Sequence, residues 1–158
     1  MSTTNGSIIV PPGQGEVLSL MGVTLAFKAV SEHTDGALTV IEYTAPPHFT
    51  GPPPHTHQHT LEAFYVLEGE LTLRIGDRTT KAEAGAFALA RRGTVHAFSN
   101  PSDHPARFLI LLSPGGMENY FHELPGLVGR HGYPLPPQLM AELGQRYDIT
   151  LPGPPGGT

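Results

Sequence analysis

Turn-forming residues interrupt the apolar segments of this chain at short and regular intervals. Between Gly22 and Ser113, Gly, Pro, Asn and Asp turn signals separate short segments rich in apolar residues. The signals recur about every 8 to 12 residues, and this spacing is typical of an antiparallel sandwich or barrel. We predict strands at residues 23–30, 37–44, 63–68, 70–75, 86–90, 95–98 and 107–112.

The strand at residues 70–75 shows the clearest pattern. Polar and apolar residues alternate there with period two, which directs Leu71, Leu73 and Ile75 to a core and the other three side chains to water. The 19 Gly and 17 Pro among 158 residues also argue against a helix bundle. We therefore predict an all-β domain with an N-terminal extension and edge strand at 1–21 and a barrel core at 22–116.

The hydrophobic period changes after this core. Apolar residues recur with helical spacing between Met117 and Leu124, and Pro125-Gly126 predicts the end of that helix. Pro136-Pro137 opens a second segment with an apolar helical face. We interpret 117–148 as a helical cap over the barrel and the Pro- and Gly-rich residues 149–158 as a flexible tail.

The charge and the cysteine content of the chain argue against several classes of function and of metal site. The formal charge is −5 and Lys and Arg form no block, which argues against a nucleic-acid partner. The apolar triplet before Pro11-Pro12 is too short for a membrane span or a signal-peptide core, so we expect a cytoplasmic protein. Without cysteine, any metal must be held by His, Asp or Glu.

Four of the nine histidines fall between His48 and His59. His55 and His57 are two residues apart, so their imidazoles share one face of an extended chain. Glu62 follows at an odd offset, and it joins them only if the chain turns within residues 58–61. With His96 from a later strand, these groups suit one divalent iron, nickel, manganese, cobalt, copper or zinc ion. His59 is an alternative partner of His57, which we interpret as a residue outside the ligand set.

The candidate substrate pocket consists of side chains that share a face with these ligands or lie on the first helix: Phe64, Val66, Phe98, Asn100, Met117 and Phe121. For the apolar strand residues, plain core packing is an equal alternative. A pocket of this kind favours an apolar or aromatic ligand with one or two oxygen atoms. It disfavours a phosphorylated sugar, which would require several Arg or Lys side chains.

The histidine segments resemble the paired motifs of the cupin superfamily, G-x5-H-x-H-x3,4-E-x6-G and G-x5-P-x-G-x2-H-x3-N. The ligand positions of both motifs are occupied, together with other glycines and the asparagine of the motifs: His55, His57, Glu62, Gly69, Gly85, Gly93, His96 and Asn100. The sequence departs from the motifs twice. Gly51 precedes His55 by three intervening residues instead of five, and Arg91 replaces the proline of the second motif.

The resemblance implies a double-stranded β-helix, also called a cupin or jelly-roll barrel, with short C-terminal helices. It implies that the three histidines and Glu62 bind the metal and that the protein forms a homodimer. The stretches at 62–70 and 114–121 are similar to small bacterial cupins that resemble quercetin 2,3-dioxygenases. In such a site Glu62 accepts the substrate proton, dioxygen attacks and the ring opens with loss of carbon monoxide. That role implies a Glu62 pKa raised toward the working pH by burial.

Two other functions fit the same residues. One is an isomerase or epimerase that uses the metal only as a Lewis acid, for which zinc suffices. The other is a small-ligand-binding cupin without catalytic activity. Metal identity and oxygen consumption distinguish the dioxygenase from both.

Overall fold

The structure is a computed structural model that describes residues 2–4 and 6–152. Within those residues, eleven strands and two α-helices follow one another along the chain: β1 Ser2–Thr4, β2 Ser7–Ile9, β3 Glu16–Leu20, β4 Val23–Ala29, β5 Thr39–Ala45, β6 Leu61–Glu68, β7 Glu70–Ile75, β8 Arg78–Glu83, β9 Phe87–Ala90, β10 His96–Ser99, β11 Ala106–Ser113, α1 Glu118–His131 and α2 Pro137–Arg146. A short 3-10 helix, Ser31–His33, lies between β4 and β5. The all-β fold with C-terminal helices is confirmed.

The strands form antiparallel sheets. A six-stranded sheet has the order β3-β4-β5-β11-β6-β9, a three-stranded sheet has the order β10-β7-β8, and β1 pairs with β2. The apolar core lies between the two larger sheets, where alternate residues of β4, β5, β10 and β11 are buried. Leu71 and Leu73 are among the least exposed core residues, at 0% and 1%, as the alternation in β7 predicts.

Six of the seven predicted strands differ from the observed ones by one or two residues at their ends, and the 70–75 strand matches. The sequence prediction lacks β8, because only Ala82 of its six side chains is buried and no alternation marks it. This strand forms by pairing with β7 along its whole length.

The first helix does not end before Pro125, as the sequence suggests. It continues to His131 with Pro125 inside it. Proline removes one helical hydrogen bond, but Leu124 and Leu127 on either side are buried in the core and hold both halves of the helix against the sheet. No helix among the described residues is long and apolar enough to span a bilayer.

Candidate metal centre

Three separate parts of the chain supply the candidate ligands. His55 and His57 lie in the connection between β5 and β6, Glu62 is the second residue of β6, and His96 begins β10. The backbones of His55 and His96 pair through two hydrogen bonds, of 3.0 and 2.9 Å. The chain bends at Gln58 and His59, which supplies the turn that Glu62 needs to face the histidines.

The approach of these segments requires a glycine at position 51. Gly51 has a φ of +77°, and a Cβ built there would lie 1.7 Å from the carbonyl oxygen of Phe98. Any other residue would push the connection away from β10. Gly51 thereby allows the loop that carries His55 to lie against the strand that carries His96.

The four side chains converge in the interior. Each offers one ligand atom, and all four atoms lie within 4.8 Å of one another. Glu62 Oε2 lies 3.0 Å from His57 Nε2, 2.8 Å from His96 Nε2 and 3.9 Å from His55 Nε2. All four residues are buried.

Backbone carbonyls fix the orientation of the three imidazoles. His55 Nδ1 donates to Pro53 O at 2.9 Å, His96 Nδ1 donates to Thr94 O at 2.9 Å, and His57 Nδ1 donates to a carbonyl of the C-terminal segment at 2.7 Å. A carbonyl only accepts, so Nδ1 carries the proton in each ring. In the neutral form each Nε2 is then a bare lone pair that faces the Glu62 carboxylate.

This arrangement brings four acceptors together. Acceptors at these distances repel one another unless a proton or a cation lies between them. Three neutral imidazole nitrogens and one carboxylate oxygen are the donor set of many divalent transition-metal sites. The residues present therefore fit a divalent metal ion.

The pKa values of the cluster reflect the same contacts. Burial lowers the pKa of His55 to about 4. Burial alone would raise the pKa of Glu62, but the hydrogen bonds that His57 and His96 donate when Nε2 also carries a proton outweigh it and lower that pKa to about 2. The expectation of a raised Glu62 pKa is thus wrong for the metal-free site, because two imidazoles stabilise the ionised carboxylate.

His59 lies outside this cluster. Its side chain is exposed, its amide donates to Asp148 and its carbonyl accepts a hydrogen bond from Arg92 Nε at 2.7 Å. Asp148, which also supplies the carbonyl for His57, is a residue that the sequence pattern did not indicate.

A cavity of about 140 Å³ adjoins the cluster and is lined by His55, His57 and Glu62 together with mostly apolar side chains. Of the six residues predicted for a pocket, Phe98, Met117 and Phe121 line it. The cavity also touches two tyrosines that the sequence analysis did not select, Tyr43 on β5 and Tyr120 on α1.

Phe64, Val66 and Asn100 do not line the cavity. Phe64 and Val66 point inward as predicted, but they are packed in the core between the sheets. Asn100 is fully buried, and its amide donates to the carbonyls of Pro46 and His104, so it holds a turn.

Comparisons with known proteins agree with this geometry. Residues 41–112 match the family model for the cupin domain. The chain is 27% identical over 134 residues to quercetin 2,3-dioxygenase from Bacillus subtilis (strain 168), which covers 84% of this chain and 39% of that protein. The chain thus spans about two fifths of the length of that relative.

Solved structures support the fold. A conserved protein with a double-stranded β-helix domain from Klebsiella pneumoniae subsp. pneumoniae MGH 78578 is 25% identical, with a TM-score of 0.51 over 68% of this chain and 84% of that chain. KdgF from Halomonas sp. is 14% identical, with a TM-score of 0.63 over 72% of this chain and 98% of that chain.

Proposed function

We propose that this chain, whose residues 41–112 match the cupin domain family, is a metal-dependent dioxygenase of flavonol-like or other enolisable aromatic molecules. The observation that carries the proposal is the convergence of four buried acceptor atoms from His55, His57, Glu62 and His96, the first three of which line an apolar cavity. The similarity to quercetin 2,3-dioxygenase from Bacillus subtilis supports the reaction class.

His55, His57, His96 and Glu62 would hold the metal. The ion is iron, nickel, manganese, cobalt or copper, with zinc as the ion of the non-redox alternative. When bound, such an ion supplies polarisation of a substrate oxygen and the capacity to react with dioxygen. Burial of the four residues excludes water from that chemistry.

The cavity selects an aromatic substrate by size and polarity. Its volume of about 140 Å³ is close to that of an apolar cavity that holds a single benzene ring, roughly 150 Å³. Among the lining side chains that the structure describes, Glu62 is the one charged group besides the imidazoles, so these residues offer no Lys or Arg partner to a phosphorylated sugar. Met21, Tyr133 and Leu151 line the cavity and are partly exposed, so further rings of a larger substrate would extend past them.

Two phenol groups add polar contacts to this apolar wall. The hydroxyls of Tyr43 and Tyr120 make no hydrogen bond to any residue that the structure describes, and both rings line the cavity. Burial raises the pKa of Tyr43 above its usual range and that of Tyr120 to about 12. Both hydroxyls stay protonated, so each is available to donate a hydrogen bond to a substrate oxygen.

Glu62 is the candidate base. Its Oε2 faces His57 and His96, whereas its Oε1 has no hydrogen-bond partner among the described side chains and backbone groups. Because Glu62 also lines the cavity, Oε1 would accept the proton of a substrate hydroxyl there. The low pKa of the metal-free site keeps Glu62 ionised at neutral pH, but it also makes the carboxylate a weaker base than one whose pKa lies near the working pH.

Elemental analysis of the purified protein followed by oxygen uptake with a panel of phenols, catechols and flavonols tests the proposal. Oxygen consumption that depends on both the metal and one substrate class is the expected result. Stoichiometric zinc with isomerisation and no oxygen uptake would replace the dioxygenase with the Lewis-acid enzyme. Bound metal without turnover on the whole panel would replace it with a ligand-binding function.

We also propose that the protein is a homodimer. Tyr65 on β6 and Phe87 and Leu89 on β9 are 40%, 63% and 43% exposed, and β9 is an edge strand of the larger sheet. Exposed apolar side chains beside an unpaired strand edge favour association. Light scattering that gives the mass of two chains supports this assembly, and a monomer at micromolar concentration excludes it.

A further inference from the structure

The chain reverses direction sharply after α2. Asp148 follows the helix with a φ of +58°, in the left-handed region that favours glycine. The amide of Ile149 donates to the carbonyl of Gly144 at 2.9 Å, which is the six-residue bond of a Schellman motif. This reversal directs Asp148 toward the loop that carries the candidate metal ligands.

The Asp148 carboxylate binds that loop through three backbone amides. Oδ1 accepts from Gln58 at 2.9 Å, and Oδ2 accepts from His59 at 2.8 Å and from Thr60 at 2.9 Å. Gln58, His59 and Thr60 are three of the four residues between His57 and Glu62. Their amides are bound by this carboxylate and not by a strand ladder, so one side chain fixes the bend that brings both ligands together.

The backbone of the same segment holds His57 itself. The Asp148 carbonyl accepts the hydrogen bond from His57 Nδ1 at 2.7 Å, and Thr150 pairs with Thr56 through two hydrogen bonds of 2.9 Å. The segment predicted as a flexible tail therefore starts with residues that are attached to the ligand loop.

From these contacts we infer that Asp148 is a positioning residue of the metal site and that the C-terminal cap is part of that site. The inference rests on the metal binding of the proposed function. The Nδ1 atoms of His55 and His96 donate to carbonyls two residues away in their own segments. His57 Nδ1 donates to the carbonyl of a residue 91 positions away. A hydrogen-bond partner that fixes the orientation of a metal ligand raises the metal affinity, because the ligand side chain then loses less conformational entropy when the metal binds.

The cap holds Asp148 in place from the other side. Tyr147 donates its hydroxyl hydrogen bond to Glu123 on α1 at 2.8 Å, and Arg146 lies 2.7 Å from the same carboxylate. Ile149 on the far side of Asp148 lines the cavity. The turn at Asp148 thus connects the wall of the cavity to the loop that carries His55 and His57.

The variant Asp148→Gly isolates the carboxylate, because glycine adopts the same backbone conformation and keeps the carbonyl that His57 uses. The matched control is Asp35→Gly, since Asp35 also has a positive φ, of +52°, but is exposed and far from the ligands in sequence. Each full-length, metal-free variant is titrated with Co²⁺ and followed by visible absorption, and its amide hydrogen exchange is measured.

Asp148→Gly is expected to bind Co²⁺ about 10- to 100-fold more weakly than wild type, with altered Co²⁺ absorption bands. The amides of residues 58–60 are expected to exchange faster while the strands keep their protection. Asp148→Asn retains one acceptor oxygen and should restore part of the affinity, and Asp35→Gly should match wild type.

Wild-type Co²⁺ affinity and spectrum in Asp148→Gly would overturn the inference, as would an Asn variant no better than the Gly variant. If the Gly variant does not fold, the Asn variant decides. In that case, weaker Co²⁺ binding and faster exchange of the amides of residues 58–60 in Asp148→Asn support the inference, and wild-type values of both measurements reject it. Wild-type protein that binds no Co²⁺ would overturn both this inference and the proposed metal site, whereas bound Co²⁺ without any turnover would affect only the proposed reaction.

Discussion

Helix α1, which forms one wall of the cavity, is anchored by a buried glutamate, and replacing it by glutamine should destabilise the protein measurably. The Glu118 carboxylate accepts hydrogen bonds from the Ser31 amide at 2.8 Å, from the Ser31 hydroxyl, from the Thr39 hydroxyl at 2.5 Å and from the Gly116 amide at 3.0 Å. Glu118 is only 4% exposed. Glutamine keeps one acceptor oxygen but has an NH₂ group in place of the other. That group cannot accept the hydrogen bonds that the second carboxylate oxygen accepts in the wild-type protein.

Two lines of reasoning give the size of the effect. Burial opposes ionisation of Glu118, but the bonds from Ser31 and Thr39 outweigh it and lower its pKa from 4.5 to about 2. One pKa unit corresponds to about 1.4 kcal/mol, so the shift is worth about 3 kcal/mol. Leaving a buried donor unsatisfied costs about 1 to 3 kcal/mol. With allowance for solvent around the half-buried Ser31, Glu118→Gln should lose about 2 to 3 kcal/mol of unfolding free energy.

The sign of the pH dependence follows from the lowered pKa. The ionised carboxylate stabilises the fold above its unfolded pKa, and this contribution is lost as the pH falls from 4.5 toward about 2. Urea unfolding at about pH 7 and about pH 3 therefore measures the difference between wild type and Glu118→Gln, which should shrink at the lower pH.

Glu142→Gln is the control, because Glu142 is exposed on α2 and, within residues 2–4 and 6–152, its side chain bonds only to Gln138 on the same helix. It should change the unfolding free energy by less than about 0.5 kcal/mol. A Glu118→Gln variant as stable as this control at neutral pH, or a difference that does not change at low pH, would refute the reasoning.

Three further predictions concern the site and the assembly. Glu62→Gln should lower turnover per bound metal by about 10² to 10⁴-fold, measured with metal content on the same preparation; a loss within about threefold would leave Glu62 as a ligand only. Burial would lower the pKa of His57, but ionised Glu62 outweighs it and raises that pKa, so His57 keeps its proton to higher pH than an ordinary imidazole. Co²⁺ affinity should therefore fall as the pH decreases and should begin to fall above the ordinary imidazole pKa of about 6.5, and a constant affinity between about pH 8 and about pH 5.5 would contradict this account. Phe87→Lys on the exposed edge strand should convert the proposed dimer to a monomer in light scattering, and a mass that stays at two chains would exclude this edge as the interface.

Local patterns were sufficient to predict most of the fold. Period-two alternation identifies β7, because its buried side chains alternate with exposed ones. The candidate ligands were found from another local pattern, the spacing of the histidines and the glutamate in two segments that resemble the cupin motifs. Both signals lie within short stretches of the sequence.

Features that depend on distant parts of the chain could not be found in this way. Nothing near Asp148 indicates that its carboxylate binds amides some 90 residues earlier. Phe64 and Val66 lie an even number of residues after Glu62 and therefore share its face of β6. Even spacing does not indicate how deep in the core a side chain on that face lies. Phe98, which lies on the same face as His96, lines the cavity because the helical cap leaves space beside it.

Metal content of the purified protein tests the central claim most directly. We predict close to one divalent ion per chain for wild type by elemental analysis, and a loss of most of it in His96→Ala, because His96 Nε2 is one of the four converging acceptors. His59→Ala should retain the wild-type amount, since the His59 side chain is exposed outside the cluster. Wild-type protein that takes up no ion, or His96→Ala with full occupancy, would contradict the account.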